Sequence, residues 1–132
     1  MDTAAVLPLH GKRVLIIEDN TSLLRHIASW LASAGALVQA TAEGARGLQA
    51  FRDAAPDLVV TDIIMPDRDG IEIILEMNAR RPDTPILAIS GGGRIAATEV
   101  LDLARRLGAD RVLAKPFQRD DIVRRAAEML GA

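Results

Sequence analysis

The sequence contains no cysteine. This absence excludes a scaffold held together by disulfide bonds and a zinc site built from thiolates, because both need cysteine sulfur. The chain also lacks the P-loop pattern, GxxxxGK followed by serine or threonine, and its first predicted strand is not followed by the glycine-rich fingerprint of a dinucleotide site. A bound nucleotide of either kind is therefore not expected.

The charge of the chain is nearly balanced, with 16 basic and 18 acidic residues and a net charge of −2. No overall positive field attracts nucleic acid or an anionic lipid surface. The first residues, MDTAAVLPLH, contain no long apolar run and resemble neither a signal peptide nor a membrane anchor. We therefore expect a cytoplasmic protein that binds neither nucleic acid nor membranes directly.

The length of 132 residues, of which 49% are hydrophobic, suits one domain with one core. We expect residues 1–11 to form an N-terminal leader and residues 12–131 to form the folded domain. Within that domain, short apolar runs alternate with longer stretches in which apolar residues recur every three or four positions. The short runs predict five β-strands, at 14–17, 37–40, 58–60, 85–89 and 112–114.

The longer stretches predict amphipathic helices. Asn20 can cap the first helix, and Gly35 follows it as a helix C-terminus prefers. The second helix contains Gly44 and Gly47, and we expect it to be the least stable because an interior glycine costs about 1 kcal/mol relative to alanine. The helices after the first are predicted near 43–51, 71–78, 96–107 and 122–130.

Strict alternation of strands and helices predicts an α/β fold with a doubly wound parallel sheet. Strands with little polar alternation indicate a sheet that helices cover on both faces. Five βα units cannot close an eight-stranded barrel. We therefore expect a flavodoxin-like (βα)5 three-layer sandwich around a five-stranded sheet.

Polar residues stand at the carboxyl ends of these predicted strands. Glu18 and Asp19 follow the first strand, Asp62 the third, Ser90 the fourth and Lys115 the fifth. Ligands of open α/β sheets bind beyond the carboxyl ends of the strands, so we expect these side chains to converge. Each residue alone could be an ordinary polar strand end, but together they supply three carboxylates, one hydroxyl and one ammonium.

Three converging carboxylates repel one another, by about 4 kcal/mol per pair at 4 Å and an effective dielectric constant of 20. A cation relieves this repulsion, and oxygen donors without histidine or cysteine favour Mg²⁺. Lys115 can contact one phosphoryl oxygen and Ser90 can donate to another, while a carboxylate can act as the nucleophile. These residues indicate a magnesium site that holds an acyl phosphate.

Four segments, in order along the chain, resemble the receiver domain of bacterial two-component response regulators: VLIIEDN, LVVTDIIMPDRDGIEII, PILAISGGG and GADRVLAKPF. The resemblance covers about residues 12–130. It implies that Asp62 is the phosphoacceptor and that Asp19 binds Mg²⁺ directly, assisted by Glu18. It also implies that Asp62 and the backbone carbonyl of Ile64 complete the protein ligands of the metal.

The resemblance assigns further roles near the fourth and fifth strands. It implies that Lys115 contacts the phosphoryl group and that Ser90 moves toward this group after phosphorylation. It also implies a cis peptide bond between Lys115 and Pro116, which proline makes accessible.

The chain departs from the family pattern at three positions. Val112 stands where the family usually has a tyrosine or phenylalanine that swings inward. Valine is stiff about χ1, so we expect the signal to pass instead through the glycine-rich loop 91–93 or to be weak. Ile64 and Gly92 stand where related domains often carry polar side chains that orient the attacking water, which predicts slow self-dephosphorylation.

These features predict a phosphoacceptor switch and not an enzyme. A histidine kinase or phosphotransfer protein would phosphorylate Asp62. The face formed by the fourth helix, fifth strand and fifth helix would then bind a downstream protein or a second copy of the chain.

Two alternatives stay open at this point. A degenerate receiver could serve as a constitutive interaction or dimerisation module, which Val112 favours and the five intact site residues oppose. A phosphatase on the same fold is the least favoured, because a second general acid or base is missing near Asp62.

Overall fold

A five-stranded parallel sheet forms the centre of the fold, in a computed structural model that describes residues 7–63, 70–90, 102, 105–106 and 108–131. Its strands are β1 (Arg13–Ile17), β2 (Leu37–Thr41), β3 (Leu58–Asp62), β4 (Ile86–Ser90) and β5 (Arg111–Ala114). They are ordered β2-β1-β3-β4-β5. This order reverses direction next to β1, as in flavodoxin-like folds, and confirms the predicted fold class.

Helices cover both faces of the sheet. They are α1 (Thr21–Ser33), α2 (Gly44–Ala54), α3 (Gly70–Arg80) and the C-terminal helix (Arg119–Met129). The helix predicted at 96–107 and the loop 91–93 lie almost entirely outside the described residues. Within the described ranges, no helix is both long and apolar enough to cross a membrane.

Alternate residues of the strands enter two apolar cores, one on each face. Leu15 and Val59 pack with residues of α2 and α3. Val14 and Val60 pack on the opposite face with residues of α1 and the C-terminal helix. Every residue of β3 and β4 is buried, as expected for inner strands of a sheet covered on both sides.

The two ends of α1 follow their predicted signals. Asn20 is the N-cap, and its side-chain oxygen accepts a hydrogen bond of 3.0 Å from the backbone N–H of Leu23. After the helix, Gly35 has a φ of +104°, which favours glycine. A Cβ at Gly35 would lie 2.8 Å from the Cα of His10, so this glycine also lets the N-terminal segment approach the turn.

Residues 7–11, the last part of the predicted leader, contact the domain. The backbone N–H of Leu9 donates to the carbonyl of Ala34 over 2.8 Å, and that of Gly11 donates to Gly35 over 3.1 Å. The Leu9 side chain is fully buried in the core beside α1 and the C-terminal helix. This segment therefore contributes to the stability of the fold.

Replacing Leu9 with alanine is expected to lower the free energy of unfolding by about 2 to 5 kcal/mol, because it leaves a cavity in the core. Leu7→Ala is the matched control, since Leu7 is 40% exposed. Urea unfolding of both variants measures the difference. Equal losses for Leu9→Ala and Leu7→Ala would contradict the observed burial.

Gly47, in the interior of α2, has a packing reason. A Cβ at Gly47 would lie 2.3 Å from Cδ1 of Ile17, so glycine lets this helix lie directly on β1. The glycine that lowers the helix propensity of α2 therefore also permits the close contact with β1, the strand that leads to Glu18.

Candidate functional site

The register of the sheet aligns the carboxyl ends of four strands. Ile17 of β1 pairs with Thr61 of β3, so the residues that follow them, Glu18 and Asp62, lie at the same level of the sheet. The pairings of β3 with β4 and of β4 with β5 continue this alignment. The carboxyl edge thus brings together the polar residues singled out in the sequence: Glu18, Asp19, Asp62, Ser90 and Lys115.

Three carboxylates lie close together at this edge. Glu18, Asp19 and Asp62 each offer one oxygen atom, and these atoms lie within 4.8 Å of one another. Glu18 and Asp62 are buried, whereas Asp19 is partly exposed. At this spacing the ionised groups repel one another strongly, so the arrangement favours a nearby cation.

Lys115 supplies one positive charge to the cluster. Its Nζ lies 2.8 Å from Oε1 of Glu18 and 2.9 Å from Oδ2 of Asp62. Burial acts to lower the pKa of Lys115, but its contacts with Glu18 and Asp62 outweigh this effect and raise the pKa. The lysine stays charged, yet it balances only one of three carboxylates.

Glu18 has an unusual environment for an acidic side chain. Its Oε2 accepts a hydrogen bond of 2.9 Å from the backbone N–H of Asn20. Its buried Oε1 lies near the Lys115 ammonium but has no well-directed hydrogen bond. Burial raises the pKa of Glu18 to about 7, and the charge of Asp62 adds to the rise, against the opposing contacts with Lys115 and Asn20.

The donor set fits a hard divalent cation. It consists of carboxylate oxygens without nitrogen or sulfur ligands, and it includes the Oε1 atom of Glu18, whose hydrogen-bonding capacity is not fully used. Mg²⁺ prefers oxygen ligands of this kind. The carbonyl of Ile64, the fourth ligand that the resemblance implies, lies outside the described residues.

Ser90 and Lys115 are held next to each other by the backbone. The N–H of Lys115 donates to the carbonyl of Ser90 over 2.8 Å, and Ser90 is fully buried. The peptide bond between Lys115 and Pro116 is cis, as the resemblance implies.

Two contacts near the site were not predicted from the sequence. One is the hydrogen bond from the backbone N–H of Asn20 to Glu18. The sequence does not reveal it, because every residue except proline offers a backbone N–H donor. The other joins the C-terminal helix to β5: Nη1 of Arg125 donates to the carbonyl of Val112 over 2.9 Å. The side chain of Val112 is partly buried against the core beneath α2 and α3.

The first residue of α3 packs against the backbone just beyond Asp62. The N–H of Gly70 donates to the carbonyl of Ile63 over 2.9 Å. A Cβ at Gly70 would lie 2.1 Å from that carbonyl oxygen. A side chain at this position would therefore push the backbone beside the site.

Gly70→Ala is expected to lower the free energy of unfolding by about 1 to 3 kcal/mol or more, because the clash is with backbone. Gly47→Ala is the comparison, since it meets the movable end of the Ile17 side chain. Ile17→Val removes Cδ1, which would lie 2.3 Å from the added Cβ, but keeps Cγ1 at 2.6 Å. It should therefore relieve Gly47→Ala in part and leave Gly70→Ala unrelieved. Thermal unfolding of the four variants tests this, and relief of both would contradict it.

The chain matches known proteins over most of its length. The family described as response regulator receiver domain matches residues 14–127. Regulator of RpoS from Escherichia coli (strain K12) is 36% identical over 113 residues, which cover 84% of this chain and 32% of that protein. The response regulator receiver protein CpdR from Brucella abortus (strain 2308) is 33% identical over 119 residues, covering 90% of this chain and 97% of CpdR.

A solved structure is similar as well. The CheY-like response regulator receiver domain protein from Methanospirillum hungatei JF-1 superimposes with a TM-score of 0.85 and 27% identity, over 92% of this chain and 94% of that one. The chain spans about a third of the length of Regulator of RpoS and nearly all of CpdR. Fold, strand-end carboxylates and family match agree: the chain belongs to the response regulator receiver domain family.

Proposed function

We propose that this receiver domain is a phosphoacceptor switch in which Asp62 accepts a phosphoryl group from a histidine kinase or a phosphotransfer protein. Receiver domains are signalling domains of two-component systems and generally have no enzymatic activity of their own. The observation that carries the proposal is the buried Asp62 carboxylate, which contacts Lys115 and lies within 4.8 Å of two further carboxylates.

Each residue of the cluster has a role in this proposal. Asp62 is the nucleophile: its carboxylate oxygen forms a bond to phosphorus as the bond between phosphorus and the donor group breaks, and the donor leaves with that electron pair. Lys115 can exchange its contact with the Asp62 carboxylate for one with a phosphoryl oxygen. Ser90, which the backbone holds beside Lys115, is the hydroxyl that moves toward the phosphoryl group.

Mg²⁺ is the proposed cofactor. Glu18, Asp19 and Asp62 would hold it, together with the carbonyl of Ile64. When bound, the metal supplies positive charge that the single ammonium of Lys115 does not provide. Glu18 and Asp19 would hold the ion and balance its charge, while Asp62 would keep one oxygen available for the transfer.

The proposed output is a change in protein contacts made by the face that includes β5 and the C-terminal helix. A downstream protein or a second copy of the chain would bind there, and no direct contact with nucleic acid is needed. The domain would act in the cytoplasm with its phosphoryl donor.

A constitutive interaction module is the second candidate function. Val112 favours it, because valine lacks the large ring that the family usually moves on phosphorylation. In this case the face would bind its partner equally well whether or not Asp62 is modified.

Incubation with acetyl phosphate and Mg²⁺, followed by intact mass spectrometry, tests the proposal. We expect the mass gain of one phosphoryl group, and we expect EDTA to prevent it. No gain under these conditions would overturn the phosphoacceptor function. A gain without any change in partner binding would support the constitutive module.

The phosphorylated form is expected to be long-lived, because Ile64 and Gly92 cannot orient an attacking water. Both positions are assigned from the sequence and lie outside the described residues. Ile64→Asn should shorten the lifetime of the acyl phosphate by supplying a polar side chain two residues after Asp62. The decay of the phosphorylated mass in both proteins measures this, and an unchanged or longer lifetime in Ile64→Asn would refute it.

A further inference from the structure

A second group of charged side chains lies where α2 and α3 end. Arg52, Arg80 and Arg81 line a cavity of about 330 Å³. Arg52 is in the last turn of α2, and Arg80 is in the last turn of α3. Both helices lead into the amino ends of strands, so this cavity lies at the opposite edge of the sheet from Asp62.

The charges around this cavity are not balanced. Oε2 of Glu76 lies 2.5 Å from Nη2 of Arg52 and 3.7 Å from Nε of Arg80. Within the described part of the chain, Glu76 is the carboxylate that pairs with these arginines. Among the described residues that line this cavity or pair with its lining, three guanidinium groups face the Glu76 carboxylate, and this local excess of positive charge favours an anion.

Arg81 already fulfils the usual role of an arginine at a helix C-terminus. Its guanidinium donates to the carbonyl of Phe51 and, over 2.9 Å, to the carbonyl of Arg52. It also lies 4.7 Å from the centre of the Phe51 ring. These contacts satisfy two of the last four carbonyls of α2 and fix Arg81 in place.

The guanidinium groups of Arg52 and Arg80 instead contact the carboxylate of Glu76. Their side chains are 39% and 50% exposed, so both can reach a ligand in the cavity. A guanidinium presents parallel N–H donors that match the oxygens of a phosphate. The volume is at the lower end of small-molecule sites, which are about 300 to 1,000 Å³.

We propose that the cavity lined by Arg52, Arg80 and Arg81 binds a small phosphorylated molecule. The phosphate contacts the guanidinium groups of Arg52 and Arg80, and the fixed Arg81 side chain forms one wall. Because this site is separate from Asp62, it does not depend on the proposed phosphoacceptor function.

The test is a titration of the full chain, without Mg²⁺, with inorganic pyrophosphate and with glycerol phosphate, followed by amide chemical shifts. We expect saturable shifts at residues 51–54 and 80–81. The double variant Arg52→Gln/Arg80→Gln should bind about tenfold more weakly or worse, because it loses charge-assisted hydrogen bonds. Stronger binding of glycerol phosphate indicates an organic phosphate as the ligand, and stronger binding of pyrophosphate indicates a polyphosphate.

The control is Arg105→Gln/Arg124→Gln, which removes the same charge from exposed positions. It should bind both probes like the unchanged protein. Shifts that do not saturate, or equal weakening in the two double variants, would overturn the proposal in favour of general charge attraction. Thermal unfolding of Arg52→Gln/Arg80→Gln at the same temperature as the unchanged protein shows that the variant is folded, independently of any phosphorylation of Asp62.

Discussion

Replacing Asp62 with asparagine is expected to abolish Mg²⁺-dependent labelling by acetyl phosphate and, in the absence of Mg²⁺, to raise the stability of the protein. The first effect follows because an amide cannot replace the carboxylate as nucleophile. The second follows because Asp62 lies within 4.8 Å of two carboxylates and contacts one ammonium. Among the charged side chains that the structure describes at this edge, the carboxylates of Glu18 and Asp19 repel Asp62 and the ammonium of Lys115 attracts it. Neutralising Asp62 removes this repulsion and leaves Lys115 paired with Glu18.

We expect a gain of about 1 to 3 kcal/mol at pH 8, below the full interaction of one carboxylate pair at an effective dielectric constant of 20. Thermal unfolding in EDTA measures it, and added Mg²⁺ should reduce or reverse the difference by neutralising the unchanged cluster. Asp83→Asn is the matched control, because Asp83 is exposed and outside the cluster.

Two outcomes would contradict this interpretation. A phosphoryl group that still appears in Asp62→Asn would reassign the acceptor. A clear loss of stability without Mg²⁺ would mean that the Lys115 contact outweighs the repulsion among the acids.

The fold could be predicted because its signals are local. Strands buried on both faces give continuous apolar runs, and α1 carries both its Asn20 cap and its Gly35 stop. The end of the leader was harder to predict, because Leu9 is one apolar residue between Pro8 and His10 and has no periodic pattern. Its burial depends on a turn that only the folded chain brings to it.

The residues of the candidate site could also be named from the sequence, since parallel strands place their carboxyl ends at one edge. The contacts between their charges could not be predicted from the sequence. The sequence shows three acids and one lysine, but it does not show that Lys115 contacts both Glu18 and Asp62, or that Glu18 is fully buried. These facts depend on side-chain rotamers and on backbone donors such as the N–H of Asn20.

The arginines at the amino edge illustrate the same limit. In the sequence, Arg52 and Arg80 resemble ordinary charged residues on exposed helix faces. Their convergence with Arg81 follows from the packing of α2 beside α3, which the periodicity of either helix alone does not specify.

Lys115→Met is expected to destabilise the protein strongly and in a pH-dependent way. The variant leaves the buried carboxylates of Glu18 and Asp62 without their ammonium, and breaking a buried pair by removing one partner typically costs about 3 to 5 kcal/mol. The loss should be largest at pH 8 in EDTA. Lys12→Met is the control, because Lys12 is the other lysine of the chain and lies outside the site.

The pH dependence follows from Glu18, whose pKa is raised from 4.5 to about 7 by burial and would rise further without Lys115. A raised pKa means that the folded state holds a proton that the unfolded state releases. The stability that Glu18 contributes is therefore fully present below pH 4.5, its pKa in the unfolded chain, and is lost as the pH rises through the pKa of the folded state. Lys115→Met should thus lose less free energy of unfolding at pH 6 than at pH 8. The titration of one group can change the free energy of unfolding by at most about 1.4 kcal/mol per pH unit.

Urea unfolding at pH 6 and pH 8, with EDTA and with Mg²⁺, measures both parts of this prediction. Mg²⁺ should restore part of the lost stability, because it can neutralise the carboxylates that the lysine no longer meets. If Lys115→Met instead loses the same free energy at both pH values, and no more than Lys12→Met, the ammonium does not hold the acids together. The cluster would then owe its geometry to the ends of the strands alone, and the proposed exchange of Lys115 from carboxylate to phosphoryl oxygen would lose its physical basis.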